Sequence, residues 1–246
     1  WLGCTPPAVA QTPSNGNWSN PIDLTAFRQG SSYFPTIVSD AAGGVHVFWD
    51  ESIEVEGGTQ AWVDYAYWDG STWSEAVDVF AGSASWRSAW GAQAVVDQEG
   101  VMHTIWIDEP NIMYAQRHVS SPVSARSWTN STLLPTLAGR SLGPAAIALD
   151  DAGILHIVYF HPSANPPGVY YLRSTNGGTD WEPAVLLSDP AWEQWPQAKV
   201  RYIVDLLPVS DTVHVVWAQE GLGLVYAQGQ AQGQQWSPPA LVSEAG

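Results

Sequence analysis

A tryptophan recurs through this chain at an almost constant interval: Trp18, Trp73, Trp128, Trp181 and Trp236 are separated by 55, 55, 53 and 55 residues. Repetition at a fixed period of this size marks a solenoid, propeller or array, in which each repeat is one supersecondary unit of a continuous core. The register is clearest in residues 171–184, YLRSTNGGTDWEPA, where a strand-like run passes through a polar Gly-rich turn to Trp181, which opens another strand. Fifteen Trp and nine Tyr against two Met, with 22 Gly and 18 Pro, favour strands and turns over helices. The expected fold class is therefore all-β.

Each period divides into four short strand-like runs. The first repeat has them at about 36–39, 45–49, 63–68 and 73–80, and the second at 93–96, 102–107, 112–117 and 128–134. The third has them at 145–149, 155–160, 169–173 and 181–187, and the fourth at 200–204, 213–218, 224–228 and 236–242. Four short strands per repeat of about 50 residues is the pattern of a β-propeller blade, so the chain reads as a β-propeller of four-stranded antiparallel blades at about 26–80, 81–135, 136–188 and 189–243. A second phrase keeps the same phase: Asp40-x-x-Gly43-x-x-His46-x-x-Trp49, then Asp97, Gly100, His103 and Trp106, then Asp150, Gly153, His156 and Tyr159, then a shortened Asp211, His214 and Trp217. Asp followed by Gly three residues on suits a tight hairpin between the first and second strands, the carboxylate holding backbone amides and the Gly taking positive φ. Trp18 to Thr25 is left over as an orphan N-terminal strand, which leads us to expect a truncated or open ring at least one blade short of closure.

The turn Ser174-Thr-Asn176-Gly-Gly178-Thr-Asp-Trp181 resembles the Asp-box, Ser-x-Asp-x-Gly-x-x-Trp, of sialidase-like (bacterial neuraminidase repeat) β-propellers, with Asn176 in place of the aspartate. The turn from Trp68 to Trp73 looks like a shortened box and Gly233 to Trp236 a degenerate one, so the resemblance covers about residues 17–243. In that superfamily the box folds the peripheral loop between the third and fourth strands, away from the ligand face. The resemblance thus implies that Ser174, Asn176, Gly178 and Trp181 are a structural turn scaffold. The superfamily holds sialidases, other glycan-active enzymes and non-catalytic binders, and the fold alone does not choose among them.

Acidic residues outnumber basic ones 24 to 8, for a formal charge of −16, which argues against nucleic acid or an anionic membrane as partner. The lone Cys4 excludes an intrachain disulfide and a Cys-based zinc site, and no apolar run is long enough to cross a membrane as a helix. Trp1-Leu2-Gly3-Cys4 followed by TPPAVAQTPSNGN resembles the end of a bacterial lipoprotein signal and its tether. Residues 1–16 are expected to be a flexible linker, with either a lipid anchor at Cys4 or an ordinary N-terminal cysteine there. The expected location is extracellular or at a bacterial cell surface.

Functional residues are expected around the axis, on the loops between blades and between second and third strands. The between-blade loops hold Arg28, Arg87 and Arg140, spaced 59 and 53. Resemblance to sialidases implies an arginine triad for a substrate carboxylate, which guanidinium forks match bidentately; ion pairing with local carboxylates is the competing reading. Asp50, Glu51, Asp108, Glu109, His161 and Glu220 follow the second strands. Paired carboxylates such as Asp50 with Asp108 or Glu109 could act as acid and base in glycoside hydrolysis, against the plainer reading of solvated loop charges. Tyr33, Trp86, Trp90, Trp192 and Trp195 are aromatic faces for sugar rings or for packing between blades. His46, His103, His156 and His214 recur once per blade but sit too far apart for one ion, and are expected to bond within or between blades. No metal site is expected, although calcium would suit some of the loop oxygens. Three functions stay open: a binder of glycan or another extracellular ligand, a glycoside hydrolase or lyase, and a structural propeller of a larger surface protein.

Overall fold

The computed structural model describes residues 19–25, 30–56, 58–82, 89–137, 143–189, 200–219 and 222–244. They form four antiparallel sheets that follow one another along the chain. The first contains β1 (Ser31–Ser39), β2 (Val45–Val55), β3 (Gly58–Trp68) and β4 (Val77–Ala81) in that spatial order. The second contains β5 (Ala89–Val96), β6 (Val101–Asp108), β7 (Asn111–His118) and β8 (Thr132–Leu133), and the third β9 (Ala145–Leu149), β10 (Leu155–His161), β11 (Gly168–Ser174) and β12 (Val185–Leu186). In the fourth, β13 (Val200–Val209), β14 (Thr212–Gln219) and β15 (Gly223–Gln230) are followed by β16 (Gln235–Trp236) and β17 (Ala240–Glu244), which both pair with β15.

The cores lie between neighbouring sheets. Phe48, Val63 and Tyr65 of the first sheet meet Ala92, Met102 and Trp106 of the second. Ile105, Ile112 and Tyr114 of the second meet Leu155, Ile157 and Leu172 of the third, and Val158, Val169 and Tyr171 of the third meet Val213, Val215 and Trp217 of the fourth. Every residue of β10 and β11 is buried, because the third sheet is covered on both faces; that is why LHIVYFH and GVYYLRS carry near-continuous apolar runs instead of a two-residue alternation. The inner strands pack as β1 on β5, β5 on β9 and β9 on β13. Among the described residues the fourth sheet makes no comparable packing with the first.

The expected hairpin chemistry is present. Asp40, Asp97 and Asp150 each accept backbone N–H groups within their turns, among them Gly44, Val101 and Ile154 at 2.7–2.8 Å. Gly43, Gly100 and Gly153 sit at φ +86°, +79° and +79°. The outer strands differ from expectation: the first three are shorter and start after their tryptophans, and the fourth is split, with Trp236 in its first piece. Trp73 makes only an isolated bridge to Trp68, β12 begins after Pro183, and Pro238 and Pro239 divide β16 from β17. Proline cannot donate to a ladder, and an edge strand paired on one side only has little else to hold it. The first two inner strands also start earlier than the alternation suggests, and three of the four carry irregularities, between Tyr33 and Thr36, Trp90 and Gln93, and Val200 and Val204.

Candidate functional site

Those three irregularities fall at the same end of the inner strands, and a bulge re-aims side chains that a regular pleat would bury or turn away. At that end the four inner strands enclose a cavity of about 490 Å³, lined by Phe34, Trp90, Gln93, Ala145, Val204 and Asp205 together with Gly91, Pro144 and Ala146. Phe34 has the left-handed φ of +49° although it precedes Pro35, and its ring is 57% exposed. A bulky residue in that conformation is strained, and such strain persists where the surroundings hold it. Tyr33, also exposed, stands with its ring 6.3 Å from that of Phe34. Gln93 is oriented across the sheet boundary by donating to Thr36 Oγ1 at 2.8 Å. Asp205 is exposed and accepts its neighbour's amide, Leu206 N, at 2.8 Å. A second cavity of about 510 Å³ lies at the other end of the same strands, among Val38, Val96, Ile147, Leu149 and Leu207.

Asp50 stands behind the wall of the first cavity. It lies opposite Tyr33 on β2, is buried, and both its oxygens accept the Gly91 amide at 2.9 Å. Burial pushes its pKa up to about 7, and the single amide offsets only part of that shift. Next to it, Glu51 is buried with Oε2 accepting from Ser32 Oγ at 2.8 Å and Trp49 Nε1 at 3.3 Å, while Oε1 has no partner. Asp108 is buried at the end of β6 opposite Ala89, and Glu109 is exposed in the hairpin turn that follows; neither lines the cavity. His161 is buried with Nε2 2.8 Å from the Leu137 carbonyl. Among the described residues no three His, Cys, Asp or Glu side chains gather as a metal site.

No protein-family model matches the sequence, and no curated protein matches it as a relative. The fold does have counterparts. A structure of NanB with optactamide superposes with a TM-score of 0.59 at 11% identity over 87% of this chain and 52% of its own. Trypanosoma rangeli sialidase gives 0.59 at 12% over 85% and 38%. The catalytic domain of the Coprinopsis cinerea GH62 α-L-arabinofuranosidase gives 0.55 at 11% over 91% and 71%. The chain shares the β-propeller fold of these structures. It spans about half the length of the NanB chain and less of the T. rangeli sialidase.

In the propeller, the turn at 174–181 joins β11 to the outer strand β12 and is held by its own hydrogen bonds. Ser174 Oγ accepts Gly178 N at 2.9 Å and donates to Asn176 Oδ1 at 3.0 Å, and Asn176 Oδ1 accepts Asp180 N at 2.9 Å. Asn176 therefore does with its amide oxygen what an aspartate would do there. The turn is docked on the preceding blade. Trp181 packs edge-on against Tyr114, 5.4 Å between centroids, and the Tyr114 hydroxyl lies 3.2 Å from the Gly177 carbonyl, which Gln116 Nε2 also reaches.

Tyr114 is in turn bound to the repeated histidine, with His103 Nδ1 2.7 Å from its hydroxyl and His103 Nε2 3.2 Å from Asp97. The same Asp–His–Tyr latch recurs. His46 joins Asp40 and Tyr65, against which Trp128 of the next blade packs at 6.1 Å. His156 joins Asp150 and Tyr171, against which Trp236 packs at 4.8 Å. The histidines thus bond within their own blades, one of the two expected arrangements, and the tyrosines they hold carry the contact to the next blade. The tyrosines escaped sequence reading because each His–Tyr pair is separated by a different hairpin length, 19, 11, 15 and 12 residues. Their own signal is a Tyr-[Ala/Leu]-x run, Tyr65-Ala66, Tyr114-Ala115, Tyr171-Leu172 and Tyr226-Ala227.

Of the residues singled out from sequence, Asp50 and Trp90 come together at the cavity, while Arg28, Arg87, Arg140, Trp86, Trp192, Trp195, Glu220 and Cys4 lie outside the described residues. Phe34, Gln93 and Asp205 are additions from the structure; only an aromatic beside a proline marked Phe34 in the sequence.

Proposed function

We propose that the propeller is an extracellular glycan binder that seats a sugar ring in the cavity between its inner strands. The observation that supports this most is the pair of aromatic faces, strained Phe34 and Trp90, on the wall of a cavity whose polar groups are few and convergent: Gln93 and Asp205. Sugar rings present flat C–H faces to aromatics and hydroxyls to such side chains. That several structures of this fold are glycan-acting by name supports the ligand class by analogy. A glycan array followed by calorimetry at fixed calcium tests it. Wild type binds one group of oligosaccharides, and Trp90→Ala lowers that affinity about tenfold, the scale of one lost stacking contact. Absence of any glycan ligand, or a Phe34→Ala/Trp90→Ala double variant that binds as wild type, sinks the reading.

Asp50 favours a second reading, glycoside hydrolysis. A carboxyl whose pKa is raised to about 7 stays partly protonated at neutral pH and is matched to general acid work, with Asp205 as the exposed carboxylate of the pair. Turnover of 4-methylumbelliferyl glycosides would then fall off above about pH 7 and vanish in Asp50→Asn. Binding without turnover leaves the first reading standing alone.

A further inference from the structure

Phe34 keeps its left-handed φ of +49° in the cavity wall, and a bulky residue holds that conformation only where the chain on both sides of it is pinned. On the C-terminal side, pairing of β1 with β2 resumes at Thr36 opposite Phe48, and Gln93 donates to Thr36 Oγ1 at 2.8 Å. On the N-terminal side the pin is Glu51. It lies opposite Ser32, two residues before Phe34, and its Oε2 accepts Ser32 Oγ at 2.8 Å. Glu51 is itself held in place, being 1% exposed and accepting the Trp49 indole N–H on the same oxygen at 3.3 Å.

The chain entering β1 lies directly against this side chain. At Gly30 a Cβ would stand 2.6 Å from Glu51 Oε1 and 2.4 Å from the Ser52 carbonyl oxygen, so no larger residue fits there without moving the strand. Glu51 Oε1 is buried with no partner, a burden on stability that an apolar residue would avoid, and departures of that kind are expected where a site needs them. Asp50, one residue earlier and therefore on the opposite face of β2, holds the other aromatic wall in the same way. Both its oxygens accept Gly91 N at 2.9 Å, next to Trp90, and Gly91 has φ +66°. One end of β2 thus ties both aromatic residues of the cavity to the framework.

We propose that Glu51 is a positioning residue of the cavity, pinning Ser32 so that Phe34 stays left-handed with its ring in the wall that Trp90 shares. The proposal rests on the reading of this cavity as a sugar site, in which Phe34 is one of the two stacking faces. Glu51 touches no ligand and acts through the backbone of β1. Without the tie, the segment from Tyr33 to Thr36 relaxes towards an extended strand and the Phe34 ring leaves the wall.

Two readouts on the full chain test this, the Phe34 Cα chemical shift without ligand and calorimetric affinity for the glycan found on the array. Ser32→Ala, a change at an exposed residue, and Gly30→Ala, which pushes the strand off Glu51, each move the Phe34 shift from the left-handed to the extended range. Each also lowers affinity about fivefold, the scale of one lost hydrogen bond. Glu51→Ala lowers it at least as much, and Glu51→Gln, which keeps an oxygen for Ser32, restores it to within about twofold of wild type. In a Phe34→Ala background Ser32→Ala lowers affinity no further, a coupling that a general loss of stability would not produce. Should Glu51→Ala fail to fold, Ser32→Ala and Gly30→Ala decide. A wild type that binds no glycan sinks the reading of the cavity, and the Phe34 shift then judges Glu51 by itself. A shift unchanged in both Ser32→Ala and Gly30→Ala overturns the inference, as does a loss of affinity in Ser32→Ala that is equally large with and without Phe34.

Discussion

At the scale of single residues, two glycines that look alike in the repeat have different reasons to be glycine. Gly153 has φ +79° and nothing within 4 Å of where a Cβ would stand, whereas at Gly178, φ +82°, a Cβ would overlap the Tyr114 phenol. Gly153→Ala should therefore cost only the left-handed backbone, about 1 kcal/mol, and Gly178→Ala about 3 kcal/mol or more because the docked turn must back away from Tyr114. Urea denaturation of the two variants separates them; equal losses would mean that the turn is not seated on Tyr114. Asp50 gives a second test at this scale. Its folded pKa of about 7 lies above the ordinary 3.8, so the folded state binds the extra proton, and the stability contributed by the neutral form is present at acid pH and lost as pH rises towards 7. Asp50→Asn removes that loss and should be more stable than wild type at pH 8 by about 3 kcal/mol, with the advantage shrinking towards pH 4. A difference independent of pH would show that Asp50 is not buried in this way.

At the scale of the element, the Asp–His–Tyr latches pull the other way. Burial lowers the pKa of His46, His103 and His156 below the ordinary 6.5, and the facing Asp40, Asp97 and Asp150 recover only part of the shift. Each ring is neutral when folded. Below about pH 6.5 the unfolded chain binds protons that the folded one does not, so stability falls with pH from that point until the lowered folded pKa is passed. His103→Gln should flatten this acid limb in thermal melts between pH 6.5 and 4.5 while lowering stability at pH 8 by about 1–2 kcal/mol, the scale of a broken buried hydrogen bond. An unchanged limb would place its origin elsewhere. These elements also show what was legible in the sequence. The Trp period, and in three of the four repeats the Asp-x-x-Gly-x-x-His spacing, hold because they sit on a short hairpin and a repeat boundary, and they pointed to the four sheets. The Tyr half of the latch sits across a hairpin of variable length, and the mouth of the cavity is built at bulges. A bulge changes which face a side chain takes without leaving a mark in an alternation pattern, which is why Phe34, Gln93 and Asp205 were not foreseen while Trp90 was found only as an aromatic near the right loop.

At the scale of the whole molecule, stability in a repeat fold is the sum of each blade's own stability and the contacts with its neighbours, so a blade latched on both sides should open less often than one latched on one side. The third blade has Trp181 docked behind Tyr114 and Tyr171 covered by Trp236, and β10 and β11 are buried at every residue. The fourth blade has only the first kind of contact, and β14 and β15 alternate between buried and half-buried positions. The net charge of −16 adds a general repulsion that the interior contacts between blades must outweigh. Native-state hydrogen exchange at low micromolar concentration should accordingly find the slowest amides in β10 and β11 and amides in β15 and β17 exchanging at least about tenfold faster. Uniform protection across β10, β11 and β15 would mean that the blades open as one unit and that the partial exposure of β15 costs it nothing.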